Sequence, residues 1–256
     1  MSAESRDLRQ PGILSQIGEA VLGLVYPQVC GVCGAARAGR AEGFVCGTCW
    51  QGVRFVRPPC CRRCGLPWSG EITNEFDCTN CRDTPLAFEY ARAAVVAQGV
   101  VLDVIHRFKY GGAVWFEPFL TDLLLREAVP VLSGDSWSGV VPVPLHPVKR
   151  REREFNQAEV LARPLAGALR IPLRTDLVRR VEVTMTQTRL SRTERAENVR
   201  RAFAPNPEAG PVHGDWIVVD DVLTTGATTN AVAAVLRDMG ASRVVVWSVA
   251  RAALDG

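Results

Sequence analysis

The sequence predicts an α/β protein with a central, mostly parallel β-sheet, preceded by a small cysteine-rich region. Eight of its nine cysteines fall as four Cys-x-x-Cys pairs between residues 30 and 81, a spacing that suits metal knuckles. From Phe88 onward, apolar strand-like runs alternate with helical patterns, as βαβ units do.

Composition sets the bounds. The chain has 256 residues, 47% hydrophobic and 22% charged, which is ordinary for a globular protein and long enough for one large domain or two small ones. Its net charge of +3 is too small to demand nucleic acid as a partner. All but two of the 30 basic residues are arginine, the exceptions being Lys109 and Lys149; coding bias explains this as readily as phosphate recognition does. No stretch has the length of a membrane helix, and the first residues lack the order of a signal peptide. The chain therefore reads as cytoplasmic, a compartment that does not maintain disulfides.

In chain order, the first segment is residues 1–28, a polar tail and an amphipathic helix. Apolar residues at 13, 14, 17, 21, 24 and 25 share one helical face between Ile13 and Tyr26, and Pro27 stops it. Packing on its own protein is expected, since the face has no basic flank suited to lipid. Residues 29–84 hold the pairs Cys30/Cys33, Cys46/Cys49, Cys61/Cys64 and Cys78/Cys81. Two knuckles complete one closed tetrahedral Cys₄ site, so two structural zinc ions are expected, supplying folding energy that a segment poor in large apolar groups lacks. Four knuckles combine in three ways, of which the sequential one is preferred; iron or an iron–sulfur cluster is the alternative occupant. Cys60 is left over.

Residues 85–256 form the α/β unit. Tyr90–Gln98 reads as a strand and Val100–Phe108 as a helix. Lys109 follows, ahead of Gly111 and Gly112, placed either to reach an anion or to favour the negative end of the helix. Glu117–Val129 is a helix between Pro118 and Pro130. Val140–Pro144 is a short buried strand breaking into a loop, Leu145–Arg153, that carries His146, Lys149, Arg150, Arg151 and Arg153. Such a cationic loop past a strand end suits a pyrophosphate. Phe155-Asn156-Gln157 opens a helix to Leu169 with a kink expected at Pro164. Leu177–Phe203, carrying Gln187, Leu190, Ser191, Arg192, Arg195 and Asn198, reads as a strand, loop and short helix able to close over a charged ligand.

Trp216–Thr229 organises the rest. A buried parallel strand is expected to stop at Asp220 and Asp221, followed by Thr224, Thr225, Gly226, Ala227 and Thr228, then by a helix over Ala231–Met239. The first helical amides and the threonine hydroxyls form a cradle for a monophosphate. Gly226 supplies the positive-φ turn. The two carboxylates suit a pair of sugar hydroxyls, so the stretch describes a ribose 5-phosphate site. The last strand is Arg243–Ala250.

The run VVDDVLTTGAT resembles the phosphoribosyl pyrophosphate (PRPP) signature of type I phosphoribosyltransferases. Together with the cysteine pairs, FKYGG at 108–112, VPVPLHPVKRREREFNQA at 141–158 and RRVEVTMTQTRLSRTERAENVRRAF at 179–203, it identifies the chain as similar to the ComF family. That resemblance covers nearly everything from Ile13 onward. It implies a double zinc ribbon joined to a type I phosphoribosyltransferase fold, with a link to natural competence and DNA uptake. By motif, Asp220 and Asp221 meet the ribose hydroxyls, Thr224–Thr228 the 5-phosphate and Pro144–Pro147 the pyrophosphate, while Arg189–Arg195 belongs to a flap. Family members usually carry glycine where this chain has Glu154, so a positive-φ backbone there is strained. Purine-salvage relatives generally place an aspartate base where this chain has Thr224, which argues against a purine deprotonated from that position.

The expected chemistry is transfer of the 5-phosphoribosyl group from PRPP, with Mg²⁺ held mainly by substrate oxygens and water, to an unidentified nitrogen acceptor. The alternatives are a PRPP- or nucleotide-binding module without catalysis, and an adaptor for single-stranded DNA or a translocation helicase built on the ribbons. Oligomeric state is open.

Overall fold

The computed structural model describes residues 28–68, 76–82, 84–181 and 201–252. The expected helix at 13–26 and the flap residues Gln187, Leu190, Ser191, Arg192, Arg195 and Asn198 lie outside them.

Among its described residues the cysteine-rich region contributes two short helices, α1 (Gly47–Gln51) and α2 (Thr79–Arg82). It is built on turns around the cysteines and docks on the α/β unit at several places. Trp50 packs edge-on against Phe119, ring centroids 5.3 Å apart, and Arg107 donates to the Gly31 carbonyl. Farther along, Ala91 N–H donates to the Arg63 carbonyl at 2.7 Å.

Among the described residues six strands follow: β1 (Ala91–Val96), β2 (Gly139–Pro142), β3 (Val178–Arg180), β4 (Phe203–Pro205), β5 (Asp215–Leu223) and β6 (Arg243–Arg251). Four make a parallel sheet in the order β1-β6-β5-β2, while β3 and β4 pair antiparallel in a separate ribbon. The valine-rich composition of β5 and β6 follows from burial on both faces. Ile217, Val219, Val245 and Trp247 enter one core with residues of α3 (Gly99–Tyr110), α4 (Glu117–Leu132) and, after the short α5 (Pro147–Arg153), α6 (Gln157–Leu169). Trp216, Val218, Val244 and Val246 enter the other with Val232 and Leu236 of α7 (Ala227–Asp238).

Both outer edges of the sheet are covered. Along β1, Val56 N–H donates to the Ala94 carbonyl at 3.0 Å and Val96 N–H to the Arg54 carbonyl at 2.7 Å. Along β2, Val140 N–H donates to Pro172 and Arg174 N–H to Val140, both at 2.8 Å.

Several boundaries differ from expectation. Asp220 and Asp221 sit inside β5, because β6 goes on pairing as far as Leu223↔Arg251. Helix α7 begins at Ala227, directly after Gly226 and four residues ahead of the expected start. The loop expected at 145–153 contains α5, with His146 as N-cap and Pro147 in its first turn, where the missing proline N–H costs no helical bond. Helix α3 continues through Lys109 and Tyr110. Helix α4 passes Pro130 and ends at Leu132, since a proline in the last turn removes one donor without stopping the remaining residues. No helix among the described residues is long and apolar enough to cross a membrane.

Candidate ribose phosphate site and metal centres

The acid pair lies where β5 outruns its neighbour β2, whose pairing ends at Pro142↔Val219. Freed from that ladder, two amides turn to side chains: Asp221 N–H donates to Asp220 Oδ1 at 2.9 Å and Val222 N–H to Asp221 Oδ1 at 2.7 Å. Lys109, carried in by the last turn of α3, places Nζ 2.9 Å from Asp221 Oδ2. Burial, and then the neighbouring Asp221 charge, push Asp220 up to about 8 despite the opposing pull of Lys109. A carboxyl raised this far keeps its proton more readily than a free one does, so the site gains a hydrogen-bond donor beside its carboxylate acceptors. Such a pair both accepts from and donates to vicinal hydroxyls.

The loop beyond β5 provides the complement. Gly226 takes φ 81° and serves as N-cap of α7 without a side-chain cap bond, leaving the first amides of a 12-residue helix without a side-chain acceptor from that position. Thr224 and Thr225 are exposed and Thr228 is half-buried; Thr225 Oγ1 accepts from Ala227 N–H at 3.4 Å. Thr229, one residue further, is buried and bonds back to the Gly226 carbonyl at 3.0 Å, which ties the helix start to its cap. Because β2 and β5 are parallel neighbours, the segment Pro144-Leu145-His146 leaves the sheet at the same end.

Asn156 fixes that segment. Its amide donates to the Val143 carbonyl at 3.1 Å, while its oxygen caps α6 by accepting from Ala158 N–H at 3.1 Å. The cations of α5 do not converge on one point. Arg150 leans toward Glu159 at 3.9 Å, Arg151 is exposed, and Arg153 lies over the Tyr110 ring at 4.8 Å while donating to Gln157 at 3.3 Å. His146 turns its Nδ1 to its own helix, accepting from Val148 N–H at 3.2 Å. Glu154 closes α5 at φ 65°, ψ −22°, the left-handed conformation that glycine adopts without strain.

Two further residues belong to the neighbourhood and were not singled out from the sequence. Arg180, at the end of β3, is buried enough that desolvation lowers its pKa, with Asp220 raising it and Arg153 lowering it in turn; it feels both the acid pair and α5. Gln157 is buried, and its Nε2 lacks a hydrogen-bond partner among the described residues. Both stand in arginine- and polar-rich runs that gave no reason to prefer them over their neighbours.

The cysteines form two clusters with the sequential pairing. Cys30, Cys33, Cys46 and Cys49 lie together, as do Cys61, Cys64, Cys78 and Cys81, with all four sulfurs of each set within 4.8 Å of one another. Sulfur separations of 3.7 Å for Cys30–Cys49, 3.8 Å for Cys33–Cys46 and 3.6 Å for Cys64–Cys78 match the ~3.8 Å edge of a tetrahedron with Zn–S bonds of about 2.3 Å. Each cluster also has the amide-to-sulfur bond of a knuckle, Cys46 N–H to Cys30 Sγ at 3.4 Å and Cys78 N–H to Cys61 Sγ at 3.3 Å. Burial pushes the Cys30 thiol up, but amide donation from Cys33, Cys46 and Val32 outweighs it and brings it to about 6. The donor sets fit structural zinc. Cys60 stands outside both clusters, and burial raises its pKa.

Comparison with known proteins agrees with this architecture. The family model described as Double zinc ribbon domain matches residues 21–83. Competence protein F of Haemophilus influenzae is 30% identical over 228 residues, covering 82% of this chain and 97% of the relative. DNA utilization protein YhgH of Escherichia coli is 30% identical over 235 residues, covering 89% and 99%. Competence protein ComFC of Bacillus subtilis is 26% identical over 202 residues, covering 77% and 79%. With paired four-cysteine ribbons, a parallel α/β unit and two relatives at 30% identity aligned over 97% and 99% of their own length, the chain belongs to the ComF family.

Proposed function

We propose that this protein binds PRPP with Mg²⁺ and transfers its 5-phosphoribosyl group to a nitrogen acceptor, releasing pyrophosphate, in a process tied to DNA uptake. The observation that carries the reading is the sequence of groups along one strand end: the Asp220–Asp221 pair with Lys109 beside it, then Gly226 and the start of α7. Asp220 and Asp221 hold the ribose hydroxyls, and as a net anionic pair they favour the positive charge that grows on the sugar as its bond to pyrophosphate lengthens. The threonines and the first amides of α7 hold the 5-phosphate. Pro144–His146 lines the pyrophosphate, with Arg150, Arg151, Arg153 and the flap's Arg192 and Arg195 supplying cations. Mg²⁺ arriving with PRPP would be held mainly by substrate oxygens and water, and would supply positive charge to the leaving pyrophosphate. The relatives' names, competence protein and DNA utilization protein, support the physiological link.

Calorimetric titration of PRPP with Mg²⁺ into the zinc-replete protein and into an Asp220→Asn, Asp221→Asn double variant tests this. Binding by the native chain that the variant loses is expected, followed by acceptor-dependent release of pyrophosphate. No binding by the folded native chain would overturn the reading. Binding without turnover on any nitrogen base would favour a nucleotide-sensing role, a reading supported by the ion pair in which Lys109 already engages Asp221. Single-stranded DNA or a translocation helicase would then be the partner to pursue.

A further inference from the structure

Arg251, the last residue of β6, is fully buried at 0% exposure and has no part in the chemistry above. Its guanidinium reaches in two directions. Nη1 donates to the carbonyls of Leu223 at 2.9 Å, Thr224, and Ala252 at 2.9 Å. Nε donates to the Cys64 carbonyl at 3.3 Å and Nη2 to Cys64 Sγ at 3.5 Å. A guanidinium removed from water needs a compensating negative group. None of the ion pairs among the described residues gives it a carboxylate, whereas four thiolates around one Zn²⁺ carry net negative charge beside it. One rigid fork therefore joins a metal ligand of the second ribbon to the two residues that lead into the Gly226 turn.

We propose that Arg251 is a positioning residue through which the Cys61/Cys64/Cys78/Cys81 centre sets the conformation of the 223–228 loop. Hydrogen bonds to metal ligands orient them and tune the metal; here the same side chain also fixes two loop carbonyls, so the influence runs both ways. The first ribbon shares no such residue with the loop among the described residues, so the two metal centres have different roles. This rests on reading the loop as a phosphate site only for its ligand-binding arm.

The test is amide hydrogen exchange on the full zinc-loaded chain without ligand, comparing the native protein with Arg251→Met, Cys78→Ser and Cys46→Ser. Cys78 serves the second centre, where the Arg251 hydrogen bonds go to Cys64, and Cys46 serves the first. Roughly tenfold faster exchange across 223–229 is expected in R251M and C78S but not in C46S, with the centres of β5 and β6 still protected. R251M is also expected to surrender one zinc equivalent to a colorimetric chelator about 10-fold faster than the native chain, the scale of lost ligand-orienting bonds. Unchanged exchange at 223–229 in C78S, or equal acceleration in C46S, would overturn the proposal, and these outcomes stand even if R251M does not fold. Ribose 5-phosphate titration reports separately on the site: native protein that ignores it while showing the exchange pattern would refute the phosphate reading and leave the coupling standing.

Discussion

Replacing Lys109 with methionine removes the cation from the acid pair while keeping a similar apolar stem. At the observed 2.9 Å, two unit charges attract by about 6 kcal/mol at an effective dielectric of 20, most of which offsets the desolvation of both groups. Truncating one member of a buried pair costs about 3–5 kcal/mol. Lys109 keeps a fifth of its side chain in solvent (20%) against 9% for Asp221, so a loss near the lower bound, about 3 kcal/mol, is expected at pH 8. The sign of its pH dependence follows from Asp220. Its folded-state pKa is raised from 3.8 to about 8, so the folded chain retains a proton that the unfolded chain releases near pH 4. Stability from this group is greatest below pH 4, falls as pH rises, and levels off above pH 8. Lys109 is among the groups that lower the Asp220 pKa, so without it Asp220 keeps its proton to higher pH and the cost of the variant should grow between pH 5 and pH 8. Urea unfolding at both pH values measures it. Adding Asp221→Asn to Lys109→Met should recover about 2 kcal/mol, a coupling typical of contacting residues. A loss that is flat with pH and additive in the double variant would refute the reasoning.

Other outcomes follow from the same geometry. Glu154→Gly relieves a left-handed non-glycine residue at φ 65° and should raise thermal stability by about 1 kcal/mol, whereas Glu154→Val should lower it. Asn156→Ala removes the α6 cap and the bond to Val143, costing about 2 kcal/mol by urea unfolding and weakening PRPP binding more than Arg151→Ala does. Metal analysis of purified protein should find about two zinc per chain for two closed sites, and a chelator strong enough to strip both should unfold the ribbon region as judged by near-ultraviolet circular dichroism.

The local patterns in this sequence were those that short-range physics writes. Cys-x-x-Cys spacing put two sulfurs on each turn, and the preference for sequential pairing follows from chain proximity, which the clusters at 30–49 and 61–81 bear out. The run WIVVDD followed by Thr and Gly announced a buried strand and a positive-φ turn, and Gly226 adopts it. What escaped the sequence was set at long range. Whether β5 ends at Asp220 or Leu223 depends on how far β6, some 28 residues away, keeps pairing. Lys109 meets an aspartate far along the chain, and Arg251 meets Cys64; neither contact leaves a periodicity to read. The α5 helix was legible in principle, since His146-Pro147 is a helix start, but its density of charge favoured a loop.

The strands at the two rims of the sheet have different guardians. The β2 rim is held by residues 172–174 of the same α/β unit, whereas the β1 rim is held by residues 54–56, between the two cysteine clusters. A chain begun at residue 85 would thus present the bare backbone of Ala94 and Val96, a template on which another copy's strand can add. The ribbons act as a stopper for the sheet as well as carriers of metal. Oxidation or chelation that loosens them would favour edge-to-edge assembly before the core is touched.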